Sequence, residues 1–418
     1  MSERVPEGWK LDRLGSLCSS IRGVSYRPEN LHSTKSKHTA TLLRSNNIQE
    51  IGLNFKDVQY VDIHKVKSKQ IAIEGDIAVC MSNGSKRLVG KNSPFAAVWG
   101  SETFTVGAFC SIIRTNENST HKFVKHLLKS NAFTRQVEFS LAGSAINNLK
   151  DGDVENYTFR IPPIPEQKKI ASILTSVDEV IEKTQSQINK LQDLKKSAMN
   201  DLMNKGINHK EFKDTKLGKI PKTWNIYKYN DLLKTVDNKL EMKDDKFYPL
   251  LSIRRRNGGV FSREKLIGKK ILTKTLGKAI VNTFIISKMQ IVHGASGYIS
   301  EKFKDHYVSS SYTQFAAKDR NKINTKFLFY YSHLDKVYKQ FLMSSHGVHI
   351  EKMTFDLKDW YKKEIILPNI EEQQEIVRII ESFENHISNT EKKLEKYNFF
   401  KKSLLQDLLT GKVRVAVN

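Results

Sequence analysis

Ile161–Ile207 reads IPPIPEQKKIASILTSVDEVIEKTQSQINKLQDLKKSAMNDLMNKGI, and an echo runs from Leu367 as LPNIEEQQEIVRIIESFENHISNTEKKLEKYNFFKKSLLQDLLTGK. The two align without a gap at an offset of about 206 residues, close to half the chain. Pro162 falls on Pro368, Glu166-Gln167 on Glu372-Gln373, Thr184 on Thr390, Lys195-Lys196-Ser197 on Lys401-Lys402-Ser403, and Asp201-Leu202 on Asp407-Leu408. In both copies apolar residues recur at alternating steps of three and four. Leu174, Ile181, Ile188 and Leu202 mark the first seam, and Ile380, Ile387, Leu394 and Leu408 the second, with Lys195 and Lys401 at equivalent seam positions. A heptad pattern sustained this long predicts a coiled coil, and a lone polar seam residue helps to fix register. About forty helical residues reach roughly 60 Å. The simplest partner for each seam is the other, and a pseudo-dyad between the halves would make the pair antiparallel.

The repeat extends beyond the helices. Val5-Pro6-Glu7-Gly8-Trp9 opens the first half and Ile220-Pro221-Lys222-Thr223-Trp224 the second. The intervening regions diverge but keep an order of signals. Thr41-Leu42-Leu43-Arg44 parallels Pro249-Leu250-Leu251-Ser252. The strand Asp76–Cys80 runs into Ser82-Asn83-Gly84-Ser85, and Gln290-Ile291-Val292 is read as its counterpart, running into His293-Gly294-Ala295-Ser296-Gly297. Helices are expected at Lys122–Lys129 and Thr325–Leu342. Each half then carries a glycine motif, Gly143-Ser144-Ala145-Ile146 or Gly347-Val348-His349-Ile350. The expected fold is α+β: two pseudo-repeated α/β domains with mostly antiparallel sheets (1–160 and 208–365), separated by helical stretches at 161–207 and 366–418.

Among the 418 residues, 69 Lys and Arg face 45 Asp and Glu, a net charge of +24 that points to a polyanionic partner, nucleic acid first. Between Lys243 and Lys288 twelve cations face three acids; they include Arg254, Arg255, Arg256, Lys269, Lys270 and Lys274. In the first half Lys86, Arg87 and Lys91 cluster beside the Ser82–Ser85 turn. Lys and Arg on turns reach phosphates, Arg also guanine edges, and Asn can read adenine. The candidate DNA contacts are therefore Arg44, Ser82, Asn83, Ser85, Lys86, Arg87, Lys91, the second-half cations just named, and Ser296. No apolar run approaches eighteen residues, the first ten residues lack a signal-peptide core, and Cys18, Cys80 and Cys110 have no CxxC spacing. A reducing, cytoplasmic setting without a membrane partner is expected.

Catalytic patterns are poor. Asn92-Ser93-Pro94-Phe95 lacks a glycine-rich cofactor loop, Gly294-Ala295-Ser296-Gly297 ends in Tyr298 where a nucleophile elbow needs glycine, and Glu166-Gln167-Lys168 opens a helix, where an acid complements the dipole. His346 and His349 have no further ligands in pattern. Two alternatives stay open: a nucleic-acid-acting enzyme with a site near Asn92 or Ser296, and a coiled-coil scaffold.

Taken together, Pro-Pro-Ile-Pro-Glu-Gln (162–167) before a heptad helix, its degenerate copy at Pro368 and Glu372-Gln373, the Leu-Met-Asn-Lys-Gly and Leu-Leu-Thr-Gly-Lys endings, and the Pro-x-x-Trp openings resemble the specificity subunit of type I restriction-modification systems. The Gly-Ser-Ala-Ile element fits as well. One departure is Glu371 where the first copy has Pro165. The resemblance implies a non-catalytic subunit whose two target-recognition domains each read half of an asymmetric, bipartite sequence in double-stranded DNA. It also implies helices that set the spacing and dock two methyltransferase subunits. S-adenosylmethionine would belong to those subunits, and ATP and Mg²⁺ to a restriction/translocase subunit, leaving this chain without a cofactor.

Overall fold

The computed structural model describes residues 5–49, 52–95, 102–142, 146–273 and 275–417. The quoted stretches form two long helices, Ile164–Lys205 and Ile370–Thr410. Both begin at the same repeat position. Proline in a first turn lacks only an N–H that the helix leaves unused, and Glu371 complements the positive helix start, so the exchange at 165/371 leaves the start in place.

Contacts divide the chain into two compact units, Met1–Ser186 with Lys392–Asn418, and Gln187–Glu391. Each long helix therefore begins in one unit and ends in the other. In the first unit, Cys18–Arg22, Cys110–Thr115, Ile77–Cys80 and Asn92–Pro94 form an antiparallel sheet in that order. Ile77, Val79 and Ile113 face a core shared with Phe123, Leu127 and Phe133; Ala78, Cys80 and Ile112 face a second core with Leu43 and Phe104. A strand buried on both faces needs an unbroken apolar run, which is why IAVC does not alternate. A second sheet orders Phe104–Val106, Thr39–Leu43, Gln59–Asp62 and Leu31–His32, its first pair parallel. Thr120 caps helix His121–Leu128 through the Phe123 N–H, and helix Asn131–Ala142 follows.

The second unit repeats this plan. Leu233–Thr235, Tyr312–Ala317, Thr283–Ser287 and Ser296–Ile299 form the equivalent sheet. The counterpart of Ile77–Cys80 is thus Thr283–Ser287, with Phe284 and Ile286 in one core and Ile285 in another. Gln290-Ile291-Val292 is not that strand. Ile291–His293 is a single 3₁₀ turn, closed by Gly294 at φ 70°. The expected helix at Thr325–Leu342 is two, Thr325–Tyr331 and Asp335–Met343. Between them the Ser332 hydroxyl donates to the Phe329 carbonyl. The second sheet gains strands, ordered Lys239–Leu240, Leu276–Lys278, Tyr307–Ser309, Phe247–Ile253 and Val260–Ile267.

Within each unit the two helix segments pack antiparallel. In the first, Ile170 and Leu174 share a core with Leu405, Leu408 and Leu409; seam residues Ile181, Leu394 and Lys401 are half-buried. In the second, Met203 shares a core with Ile376 and Ile380; Ile188 is buried, and Lys195, Leu202 and Ile387 half-buried. The seam lysines have acidic partners that periodicity alone does not disclose. Lys401 Nζ lies 2.5 Å from Asp178 Oδ1 in the first unit, and Lys195 Nζ 2.6 Å from Glu384 Oε1 in the second. Asp178 and Glu384 are themselves repeat-equivalent.

Asp178 also receives Lys125 Nζ at 3.0 Å. Burial alone would raise its pKa, but the hydrogen bond and charge of Lys401, with Lys125, outweigh burial and hold the carboxyl below its ordinary value. A carboxyl depressed by folding stabilises the native state above the unfolded pKa of about 3.9, and that contribution is lost as pH falls through the lower folded value. Asp178→Asn should therefore lower the melting temperature at pH 6, with the gap to the unaltered chain closing towards pH 3. A gap that stays constant across that range would show that the ion pair contributes nothing.

Candidate nucleic-acid interface

Three loops meet in the first unit. In the first loop Asn47 is fully buried; its Nδ2 donates to the carbonyls of Asn54 and Lys56 and its Oδ1 accepts from Arg44 N–H. Arg44 itself is tied to Asp57 at 3.2 Å. Asn83, in the second loop, donates to Ser45 Oγ. The third loop joins through Asn147, whose carbonyl accepts from Asn83 N–H and whose Nδ2 donates to the Gly84 carbonyl at 3.2 Å, while Ser82 bridges Asn148. Arg44, Ser82 and Asn83 thus share one half-buried platform, from which Ser85, Lys86 and Arg87 project into solvent. Lys91 lines a cleft of about 1190 Å³ together with Ser85, Lys86, Arg87, Lys125 and Lys129.

The second unit builds the same trio from different residues. Arg255–Gly258 turns the hairpin between Phe247–Ile253 and Val260–Ile267, with Arg256 and Asn257 at φ 55° and 58°. Two left-handed central residues define a type I′ turn, whose twist matches the flanking strands. For arginine that conformation costs roughly 1 kcal/mol, and it is held by neighbours. Arg256 N–H donates to the His293 carbonyl at 2.7 Å and Asn257 N–H to the Gly294 carbonyl at 2.9 Å. Gly294 sits at φ 70°, where any other side chain is strained, and a Cβ there would also crowd Asn257 Oδ1 at 2.8 Å. Glu351, from the third loop, accepts from Arg255 at 2.9 Å and pairs with His293 at 3.2 Å. The Arg254 guanidinium lies over the Phe261 ring, 4.2 Å from its centroid. All three arginines are exposed.

Other candidates lie elsewhere. Lys269 and Lys270 sit beyond Ile267, at the opposite end of the strand that leaves the arginine turn; eight residues of strand separate the two clusters by roughly 25 Å. Lys274 falls outside the described residues. Ser296 is a correction: it is buried, its hydroxyl paired with Ser332 Oγ at 3.1 Å, and it presents nothing to a ligand. Asn92 is likewise internal, donating to the carbonyls of Gly90 and Leu128. Glu166 accepts Trp9 Nε1–H and two Arg414 N–H groups, a bracket rather than a nuclease carboxylate. Among the described residues no cluster of three or more His, Cys, Asp or Glu could hold a metal ion, and no helix is long and apolar enough to cross a membrane. The thiols are buried; Cys18 is pushed up to about 12 by burial and then by Glu155.

Asn47, Asn147, Asn257, His293 and Glu351 organise these faces and were not singled out from sequence. Asn257-Gly258-Gly259 was the one available signal, as Asn-Gly marks a hairpin turn.

The pattern of the type I restriction modification DNA specificity domain matches residues 6–193 and again 221–398. The chain belongs to this family. Each specificity-domain match encloses one of the three-loop faces. The chain is 29% identical over 211 residues to the EcoKI specificity subunit of Escherichia coli (strain K12), a match that covers 50% of this chain and 44% of that one. It therefore spans less than half the length of that relative. The putative MjaX specificity subunit of Methanocaldococcus jannaschii is 25% identical over 441 residues, covering 98% of this chain and 95% of that one. The specificity-domain fold is shared with the type I restriction-modification S subunit from M. genitalium: TM-score 0.55, 14% identity, with 97% and 98% of the two chains covered.

Proposed function

We propose that this chain is the non-catalytic subunit that chooses the DNA target of a type I restriction-modification complex. The observation that carries this is the duplicated three-loop face, built on one plan in two specificity domains but armed with different side chains. Two such faces suit a bipartite target, and their unlike residues make its halves unlike. Lys86 and Arg87 in one domain (within 1–160), and Arg254, Arg255 and Arg256 in the other (within 208–365), would neutralise phosphates, with Ser82, Asn83, Ser85 and Asn257 near base edges. The long helices would set the gap between half-sites and dock two methyltransferase subunits. Those subunits would bring S-adenosylmethionine, and a restriction/translocase subunit ATP and Mg²⁺, all in the cytoplasm.

Co-expression with methyltransferase subunits, followed by genome-wide mapping of methylated bases, tests this. A bipartite, asymmetric motif is expected. Adding a heptad within Asn189–Leu194, with a matching heptad in the second helix, lengthens each helix by about 10 Å and should widen the gap by roughly three base pairs without altering the bases read. Absence of any bipartite motif, or methylation or cleavage by the purified chain alone, would overturn the reading; an unchanged gap would remove the spacer role.

A further inference from the structure

Each unit carries an exposed isoleucine at one repeated place. Helices Asn131–Ala142 and Asp335–Met343 correspond: Phe133 and Val137 are buried in the first, and Val337 and Phe341 at the same steps in the second. Carried past the helix ends, that register sets Gly143 on Gly347 and Ile146 on Ile350. Ile146 is 70% exposed and Ile350 47%. One exposed isoleucine would mean nothing. Here the same residue type returns in two otherwise diverged loops, each time on the third loop of the face. Ile146 adjoins Asn147, which is bonded to Gly84; Ile350 adjoins Glu351, which is bonded to Arg255 and His293. In the second unit Val348, fully exposed, adds to the apolar tip.

We propose that Ile146 and Ile350 are wedges, each pressed between adjacent base pairs of the half-site held by its own face; this rests on the DNA-reading function above. An isoleucine offers no hydrogen bond to phosphate or base edge. Its side chain, set among amide and cationic groups that hold the duplex, gains by leaving water for the faces of unstacked bases. Apolar side chains used in this way kink a duplex by about 20–90°. The residues around the two isoleucines differ, as readers of different sequences must. The isoleucines do not differ, which fits a task common to both half-sites: deforming the step instead of identifying it.

The test uses the full chain and the duplex it selects from a degenerate library, labelled at both ends for energy transfer. The unaltered chain should bend this duplex by at least about 20°. The double variant Ile146→Ala/Ile350→Ala should bind about tenfold more weakly, with most of the bend gone and the salt slope unchanged, because every phosphate stays neutralised. Each single variant should lose part of the bend. Since both side chains are exposed, the melting temperature should hold, separating wedge loss from misfolding. A bend that is absent, or that survives the double substitution while the chain still binds, overturns the wedge and leaves the DNA-reading function standing. A chain that retains no duplex at all overturns that function and the wedge with it.

Discussion

Replacing Arg254, Arg255 and Arg256 together by alanine is expected to weaken DNA binding about a hundredfold at moderate salt and to reduce the slope of log K against log salt by about two to three, roughly 0.9 for each phosphate left without its cation. The hairpin should survive. Its turn is held by backbone hydrogen bonds from Arg256 and Asn257 to His293 and Gly294, which alanine leaves intact. The partners released are themselves exposed: the Glu351 side chain is 57% accessible, so losing Arg255 strands no buried charge. Arg256→Gly relieves the left-handed strain while removing one cation, so it should bind more weakly yet melt no lower. Lys269→Ala/Lys270→Ala, at the far end of the same strand, should change the slope less. A triple variant with an unaltered salt slope would show that the turn does not touch phosphates.

Glu372→Ala should cost the second unit about 3 kcal/mol, because one carboxylate holds three separate partners and its removal strands donors on half-buried Ile207 and His209 and buried Trp224. Its Oε1 accepts the Ile207 N–H at 2.9 Å and lies 2.8 Å from His209 Nε2; its Oε2 accepts Trp224 Nε1–H at 3.2 Å. Gly206, at φ 68°, passes so close that a Cβ there would meet Glu372 Oε1. For a unit of this size the loss corresponds to a fall of about 6–12 °C in melting temperature, readable by calorimetry. A fall below about 1 °C would mean that the bracket is dispensable. Glu166 plays the same part in the first unit, with Trp9 and Arg414 as partners. The Pro-x-x-Trp and Glu-Gln signatures are therefore two halves of one fastening.

That fastening marks the limit of what the sequence discloses. Trp9 and Glu166 are each visible as repeated residues, but their hydrogen bond joins positions 157 apart, and no local period reports it. The long helices were readable because heptads act over a few residues. Asp178 and Glu384 escaped notice because an acid beside a seam looks like ordinary surface charge until the opposing lysine is in place. Strand Ile77–Cys80 was readable from its apolar run; its counterpart was misplaced because Ile291-Val292 imitates a short strand, whereas the doubly buried position requires Phe284-Ile285-Ile286. The basic cluster of the second half was dense in sequence but divided in space, since one strand carries Arg254–Arg256 and Lys269-Lys270 to opposite ends. Ser296 looks like a turn residue and is the first residue of a buried strand at the edge of its sheet.

The division of the chain also orders its birth. Residues 187–391 form an uninterrupted span and can close while the remainder is still being translated. The globule begun at the amino terminus cannot. Its interior holds Leu14 and Phe123 beside Leu405, Leu408 and Leu409, and Arg414 joins Glu166 to the Glu7 carbonyl. Domains generally mature in the order of synthesis, amino-terminal first; here the unit made first is completed only after Leu405–Arg414 have been made.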